Sequence, residues 1–248
     1  MKEVLELIEK RKQEFAKLPF FEYLQDKSID PRQRLIWVPC FTHVTMSLAE
    51  LNKYILRQKP NNNPIQEIIN KHTYEEDYHW IWFLGDIEKL DFNNRLNFID
   101  AINFFWSEST QKTRQLSYEL FSLCTSFKDP ILRLIIIEAI EGTSNVGLPL
   151  TAIVAQELEQ ITDKDYLYLN NHHVEAEKSH TIIAGNTHLL IDNLQLTPKQ
   201  KETAFNIVNT VFLAFSECFN ELMIYAQTHS VENFYIETNS EEKSLILA

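Results

Sequence analysis

The sequence predicts an all-α protein that folds as a single domain. Its 248 residues include only four glycines, far fewer than the turns of a sheet protein would use. The apolar residues recur at intervals of three and four, the period of an amphipathic helix, rather than at two. The apolar fraction of 44% is typical of a globular chain with a sizeable core, and no stretch rich in proline, glycine or serine divides it.

The first half of the chain predicts four helices, separated by proline and asparagine signals. Pro19 ends the first, charged helix, and the segment 20–24 predicts one further short helical turn. Pro39 predicts a kink in the second helix, and the run 61–64 (Asn-Asn-Asn-Pro) is a strong loop signal before the third. The four helices cover about residues 2–17, 31–57, 64–90 and 94–127.

The second half predicts three more helices. The fifth is strongly apolar, and two glycines and a proline are expected to bend or interrupt it. A Thr-Asp pair is expected to cap the sixth, which reaches about residue 193, and a Thr-Pro pair opens the last. The residues that give these signals are Pro130, Gly142, Gly147, Pro149, Thr162-Asp163 and Thr197-Pro198. The prediction is one domain of about seven helices over 1–228, with a loosely held tail over 229–248.

The charge of the chain excludes some partners. With 35 acidic and 23 basic residues, the formal net charge of −12 would repel nucleic acid and anionic membrane surfaces. The amino terminus is acidic where a signal peptide would be apolar, and the most apolar stretch, 132–140, is broken by charges. We therefore expect a cytoplasmic protein without a membrane span or nucleic acid partner, acting on a small molecule. A homodimer stays open.

The three cysteines carry no motif. Cys40, Cys124 and Cys218 are far apart and odd in number, so a disulfide framework is not expected. Free cysteine is among the most buried residue types. We expect these residues to be small apolar core residues rather than nucleophiles.

Five of the eight histidines fall in two short stretches, 72–79 and 172–180, and four of them belong to two windows that share one spacing. The windows are His72-x3-Glu76-x2-His79 and His173-x3-Glu177-x2-His180. Residues at i, i+4 and i+7 lie within about 60° of one another on a helix, so each window would point two imidazoles and one carboxylate from one face. Composition alone predicts roughly 0.03 such patterns in a chain of this kind, so two occurrences indicate a function.

The alternative for each window is structural. A lone helical histidine is usually a surface or core residue, and a glutamate four residues on is its hydrogen-bond partner. Two matching windows with apolar neighbours argue against this, because burying several carboxylates and imidazoles together is costly without a cation. Glu75 adjoins Glu76, so a shift of one residue in this carboxylate stays open. His172 points about 100° away from His173 and is expected to face solvent or to lie behind the ligands.

A further carboxylate is expected on an otherwise apolar helix, since ferritin-type sites combine single glutamates with Glu-x-x-His pairs. Glu138 and Glu141 stand in the isoleucine-rich part of the fifth helix. We favour Glu141 as the ligand and keep Glu138 as a neighbour or substitute. The set then holds three carboxylates and four imidazoles without a thiolate, which suits iron or manganese better than structural zinc. Catalytic residues beyond these ligands are not identified.

These motifs resemble those of the haem-oxygenase-like diiron oxidases, and within them the CADD-like (death-domain-associating) proteins. In that family the last motif is His-x3-Asp/Glu-x2-His, matched by His173, Glu177 and His180, and a lone glutamate precedes it at the interval of Glu141. The resemblance covers about 31–228. It implies a seven-helix haem-oxygenase-like bundle holding two irons, or iron with manganese, that bind and reduce dioxygen. Some members oxidise fatty acids or amine nitrogens, and CADD-like members work in p-aminobenzoate formation.

One departure from the family concerns His72. Relatives commonly carry a carboxylate seven residues before the first-helix histidine, where this chain has His72. Either His72 replaces that carboxylate as a ligand, or Glu76 is the carboxylate and His72 is peripheral.

The function that we expect is a non-haem diiron oxidase or oxygenase with dioxygen as co-substrate and a small organic or amphiphilic substrate. One alternative is a metal-free helical protein of the same fold that acts as an interaction module. The other is a thiaminase-type hydrolase, which needs a cysteine nucleophile in its pocket. A haem protein would need one axial histidine rather than a carboxylate-rich cluster.

Overall fold

A computed structural model of the chain describes residues 1–92, 97–179, 191 and 193–231. These residues form helices joined by short loops, and they contain no strand, so the predicted all-α class is confirmed. The α-helices are α1 Lys2–Phe15, α2 Pro19–Gln25, α3 Pro31–Arg34, α4 Thr42–Glu50, α5 Pro64–Glu75, α6 His79–Leu90, α7 Phe98–Trp106, α8 Gln111–Ser126, α9 Pro130–Thr162, α10 Asn171–Ser179 and α11 Pro198–Thr228. Short 3-10 helices span Val38–Phe41 and Glu108–Thr110, and a π-helix spans Leu51–Leu56.

The two longest of these helices, α9 and α11, form the centre of the fold. They pack against each other, and α1 packs against both, while α8 covers α11 and α5 and α10 pack on α9. A single apolar cluster fills the interior. Its centre is aromatic: Phe219 of α11 contacts the rings of Phe15 and Phe20 edge to face, with ring centroids 5.2 and 5.0 Å apart.

Caps at the predicted signals begin several helices. The Asn63 side chain accepts the backbone N–H of Ile65 at 2.8 Å, and Thr197 forms a reciprocal capping box with Gln200 at the start of α11. The predicted start of the last helix at Thr197-Pro198 is therefore confirmed. Among the described residues, α11 is the one helix long and apolar enough to cross a membrane, and a core helix meets the same criteria. Its buried stripe packs on α9 and α1.

The predicted helices 31–57, 64–90 and 94–127 are each divided, so the fold has more helical segments than the seven predicted. Pro39 lies in a 3-10 turn, where its missing N–H is tolerated. In contrast, α9 runs through Gly142, Gly147 and Pro149 as one helix, so of the predicted bend or interruption the interruption is wrong. Pro149 removes a single N–H from a helix that tertiary packing supports on both sides.

Two further expectations concern the ends of elements. Asp163 does not cap the next helix; it has a left-handed conformation (φ 54°) and ends α9, and α10 begins only at Asn171. A short side chain that tolerates this conformation suits a C-terminal cap as well as an N-terminal one. Of the predicted tail 229–248, residues 229–231 are described, and the N–H of Val231 bonds the side chain of Gln33 at 3.0 Å.

Close packing of α1, α9 and α11 gives a stability prediction. A Cβ atom at Gly142 would lie 3.1 Å from both Ile8 Cγ2 and Phe212 Cζ, whereas one at Gly85 in α6 would meet no atom within 4 Å. Gly142→Val should lower the free energy of unfolding of the metal-free protein by about 1–3 kcal/mol through overpacking. Gly85→Ala should raise it by about 0.5–1 kcal/mol through helix propensity. Urea unfolding measures both, and an unchanged Gly142→Val midpoint would contradict the close approach.

Candidate metal centre

Six of the seven predicted ligand residues form two groups inside the bundle. His72, Glu76 and Glu141 offer donor atoms within 4.8 Å of one another, and so do His79, His173 and Glu177. The exposed fractions of these six side chains lie between 4% and 15%, so the donors are held away from bulk water. His180, the seventh residue, lies outside the described residues, and its ligation stays a prediction.

The two groups are adjacent and share short contacts. Glu76 Oε2 lies 2.8 Å from His79 Nδ1, although the two residues belong to different groups. Within the second group, Glu177 Oε1 lies 3.4 Å from His79 Nδ1 and 3.0 Å from His173 Nε2. In the first group, His72 Nε2 lies 3.6 Å from Glu141 Oε1. One continuous site therefore contains three carboxylates and three imidazoles from the α5–α6 region, α9 and α10.

The short contact from Glu76 to His79 spans a break between α5 and α6. Glu76 is the C-terminal cap of α5, and His79 is the first residue of α6. The prediction that all three residues of the window His72-x3-Glu76-x2-His79 lie on one face of one helix is therefore wrong. Arg57 explains the break. Its guanidinium donates to the carbonyl of Thr73 at 2.6 Å and pairs with Asp77, and the N–H of Asp77 bonds Tyr74 instead of Thr73. The bond from Arg57 thus takes the place of the i to i−4 bond that the N–H of Asp77 would make to the Thr73 carbonyl if α5 continued.

A backbone hydrogen bond on the side away from Glu177 orients the ring of His173. Its Nδ1 donates to the backbone carbonyl of Tyr168 at 2.9 Å, which leaves Nε2 directed at Glu177. Metal-binding histidines usually bond a carbonyl or carboxylate through the other ring nitrogen in this way, which fixes the tautomer and the ring plane. Burial raises the pKa of the Tyr168 phenol, so this residue is neutral beside the site.

Aromatic side chains form one wall of the site. The indole of Trp82 stacks on His79 with centroids 4.8 Å apart, and it meets the exposed His172 edge on at 4.7 Å. His172 is exposed and belongs to neither donor group, in keeping with the expectation that it does not face the donors.

A cavity of about 110 Å³ opens beside the donor atoms and runs between α4, α9 and α11. Away from the donors its walls are mainly apolar, with Trp37, Phe41, Phe215 and Phe219 among them. No lysine or arginine lines the cavity in the part of the chain that the structure describes. Such a lining favours an apolar ligand portion next to the carboxylates and imidazoles.

The remaining predicted residues lie around this centre. Glu138 and Glu141 both line a surface groove between α1 and α9, but only Glu141 also lines the cavity beside the other donors, in keeping with our preference for Glu141. Glu75 ends α5 one residue before Glu76 and does not line the cavity. All three cysteines are buried and lie outside the cavity lining.

Sequence reasoning assigned no role to three residues that contact the donors or the backbone next to them, namely Arg57, Trp82 and Asp86. One signal for Asp86 was present, because it stands two helical turns after His79 on an apolar helix and is fully buried. Arg57 carried no local signal, because its partners lie at least 16 residues further along the chain.

The fold is similar to that of a solved domain of unknown function with a haem-oxygenase-like fold, from Shewanella denitrificans OS217. The two share 13% sequence identity, and the match covers 91% of this chain and 90% of that chain with a TM-score of 0.58. No protein-family model and no curated protein matches this chain. At this identity the likeness establishes the fold alone: the chain is a helical protein of the haem-oxygenase-like fold.

The placement of α10 predicts how its histidines differ. His173→Ala and Glu177→Ala should each lower retained ferrous iron from about two equivalents to about one after anaerobic loading and desalting, because each removes a donor of the second group only. His172→Ala should leave the iron content nearly unchanged, because the exposed His172 belongs to neither donor group. Metal analysis of the three variants decides this, and equal losses at His172 and His173 would contradict the placement.

Proposed function

We propose that this protein is a non-haem, two-metal oxidase or oxygenase that uses iron at both positions and dioxygen as co-substrate. The observation that carries the proposal is the pair of adjacent donor groups joined by the contact between Glu76 and His79. The haem-oxygenase-like fold is compatible with it. The narrower resemblance to CADD-like proteins rests on the sequence spacing of three features: Glu76-x-x-His79, the lone Glu141, and His173-x3-Glu177-x2-His180.

The chemistry of the donor set fits iron. Three carboxylates and three imidazoles within two small groups are costly to gather unless protons or metal cations accompany them. Oxygen and nitrogen donors without thiolate favour iron or manganese over structural zinc. In the proposal, His79, His173 and Glu177 hold one metal, and His72, Glu76 and Glu141 hold the other, with His180 as a further ligand.

The bound metals would supply the redox chemistry that activates dioxygen. The chain's own residues set the conditions for it. Tyr168 holds the ring of His173 through its carbonyl, and Trp82 packs against His79. The apolar walls of the cavity exclude water and accept the apolar part of a small organic or amphiphilic substrate beside the donors.

The thiaminase-type alternative lacks support from the cysteines. A nucleophilic thiol needs access to the pocket and a thiolate of lowered pKa. Here burial raises the pKa of Cys40 and Cys218, and it raises that of Cys124 to about 12. All three are neutral thiols in the core at pH 7. A measurement of metal binding distinguishes the second alternative, a metal-free interaction module, from the proposed metal enzyme.

Iron loading and oxygen uptake test the proposed function. Protein loaded anaerobically with ferrous iron should retain close to two equivalents and should consume dioxygen when mixed with air-saturated buffer, because two donor groups are present. An oxygen electrode measures the uptake. Zinc-loaded protein is the control, since it should bind metal without consuming oxygen. Iron-loaded protein without uptake would contradict the oxidase, and absence of tight metal binding would contradict the metal centre.

A matched pair on α9 tests the carboxylate assignment. Glu141→Ala should release about one metal equivalent and abolish oxygen uptake, because Glu141 lies in the group with His72 and Glu76. Glu138→Ala, three residues away on the same helix, should retain both metals, because Glu138 belongs to neither donor group and does not line the cavity. Metal analysis and circular dichroism of both variants are the measurements. The reverse pattern would show that Glu138 is the ligand.

A further inference from the structure

Asp86 is a buried carboxylate that takes no part in the proposed ligand set. It lies on α6, two turns after His79 on the same helical face, and its exposed fraction is 0%. Its carboxylate accepts three consecutive backbone N–H groups of the loop between α9 and α10. Leu167 donates to Oδ1 at 3.0 Å, and Tyr168 and Leu169 donate to Oδ2 at 2.8 and 2.9 Å.

This arrangement is specific to a carboxylate. Two oxygens with free lone pairs can accept three donors at once, and each bond gains from the negative charge in a buried setting. An asparagine of the same shape offers one oxygen and presents an NH₂ group where a backbone N–H already points. The loop conformation therefore depends on the charge of Asp86 as well as on its size.

The same loop is fastened to α6 by a second set of bonds. Lys164 donates to the carbonyl of Lys89 at 2.6 Å, and Lys89 donates to the carbonyl of Asp165 at 2.5 Å. On the α9 side, Glu159 accepts the N–H of Tyr166 at 3.1 Å. The loop is thus held between α6 and α9 just before α10 begins.

What this loop presents to the site is the carbonyl of Tyr168, which accepts from His173 Nδ1. A chain of direct contacts runs from Asp86 through the backbone of Tyr168 to the ring of His173. The helix that begins with His79 therefore also sets the position of the other imidazole in the same donor group, through Asp86.

We propose that Asp86 is a positioning residue for the metal group of His79, His173 and Glu177, acting by fixing the Tyr168 carbonyl and with it the tautomer and ring plane of His173. The inference rests on the proposed metal centre. It assigns to Asp86 an effect on one donor group only. Asp86 is linked to His173 through the backbone of Tyr168, and its hydrogen bonds do not include His72 or Glu141.

The test uses cobalt(II) as the probe, titrated into metal-free protein and followed by visible absorption and calorimetry. Wild-type protein should show two binding steps, and His173→Ala identifies the step that belongs to its group. Asp86→Asn should weaken that step about tenfold or more and change its absorption bands, while the other step keeps its affinity. A general loss of stability would weaken both steps and would not alter the bands of one alone.

Glu221→Gln is the matched control. Glu221 also accepts two backbone N–H groups, from Lys112 at 2.6 Å and Thr113 at 3.0 Å, but it does so at the start of α8 outside the cavity lining. This variant should leave both cobalt steps unchanged even if its melting temperature falls. Equal effects of Asp86→Asn and Glu221→Gln on cobalt binding would overturn the positioning role.

A second variant keeps the inference testable if Asp86→Asn does not fold. Lys89→Ala removes two contacts of a partly exposed side chain: the bond to the Asp165 carbonyl and the ion pair with Asp86 Oδ1 at 3.7 Å. It should weaken the same cobalt step a few-fold. An unchanged step in this variant, or in a folded Asp86→Asn, would overturn the role of Asp86 while wild-type binding upholds the metal centre. Wild-type protein that binds no cobalt would overturn the metal centre and this inference with it.

Discussion

The contact of 2.8 Å between the Glu76 carboxylate and the His79 imidazole joins the two halves of the site. It spans the turn between α5, which ends at Glu75, and α6, which begins at His79. Arg57 maintains this turn by taking the Thr73 carbonyl that a continuing helix would use. The break turns one predicted helical face into a junction at which donors from α9 and α10 can converge.

Burial determines how the carboxylates and imidazoles of the site interact. The carboxylates and imidazoles of the site lie within 4 Å of a partner and are at most 15% exposed, so water cannot fully solvate their charges. The apolar cavity on one side and the packed helices on the other keep the dielectric low, so the site favours a compensating positive charge. The fold supplies the enclosure, and the supporting groups supply the orientation: the Tyr168 carbonyl fixes His173, and Trp82 packs against His79.

The helical class and most donor positions could be predicted from the sequence because both depend on spacing. A repeated His-x3-Glu-x2-His pattern carries its geometry with it wherever the chain is helical, and this holds for His173 and Glu177 on α10. The prediction of a continuous helix failed between Glu76 and His79, because Arg57, which contacts this turn, lies outside both helices. Spacing also cannot reveal the Tyr168 carbonyl, since every residue has one, or the bonds of Asp86 to N–H groups more than 80 residues away.

The most direct test of the central claim is anomalous X-ray diffraction at the iron edge, on crystals of protein loaded anaerobically with ferrous iron. The account predicts two iron peaks in one site. One should lie among His79, His173 and Glu177, and the other among His72, Glu76 and Glu141. A structure without iron at these residues, or with a single iron bound elsewhere on the chain, would contradict it.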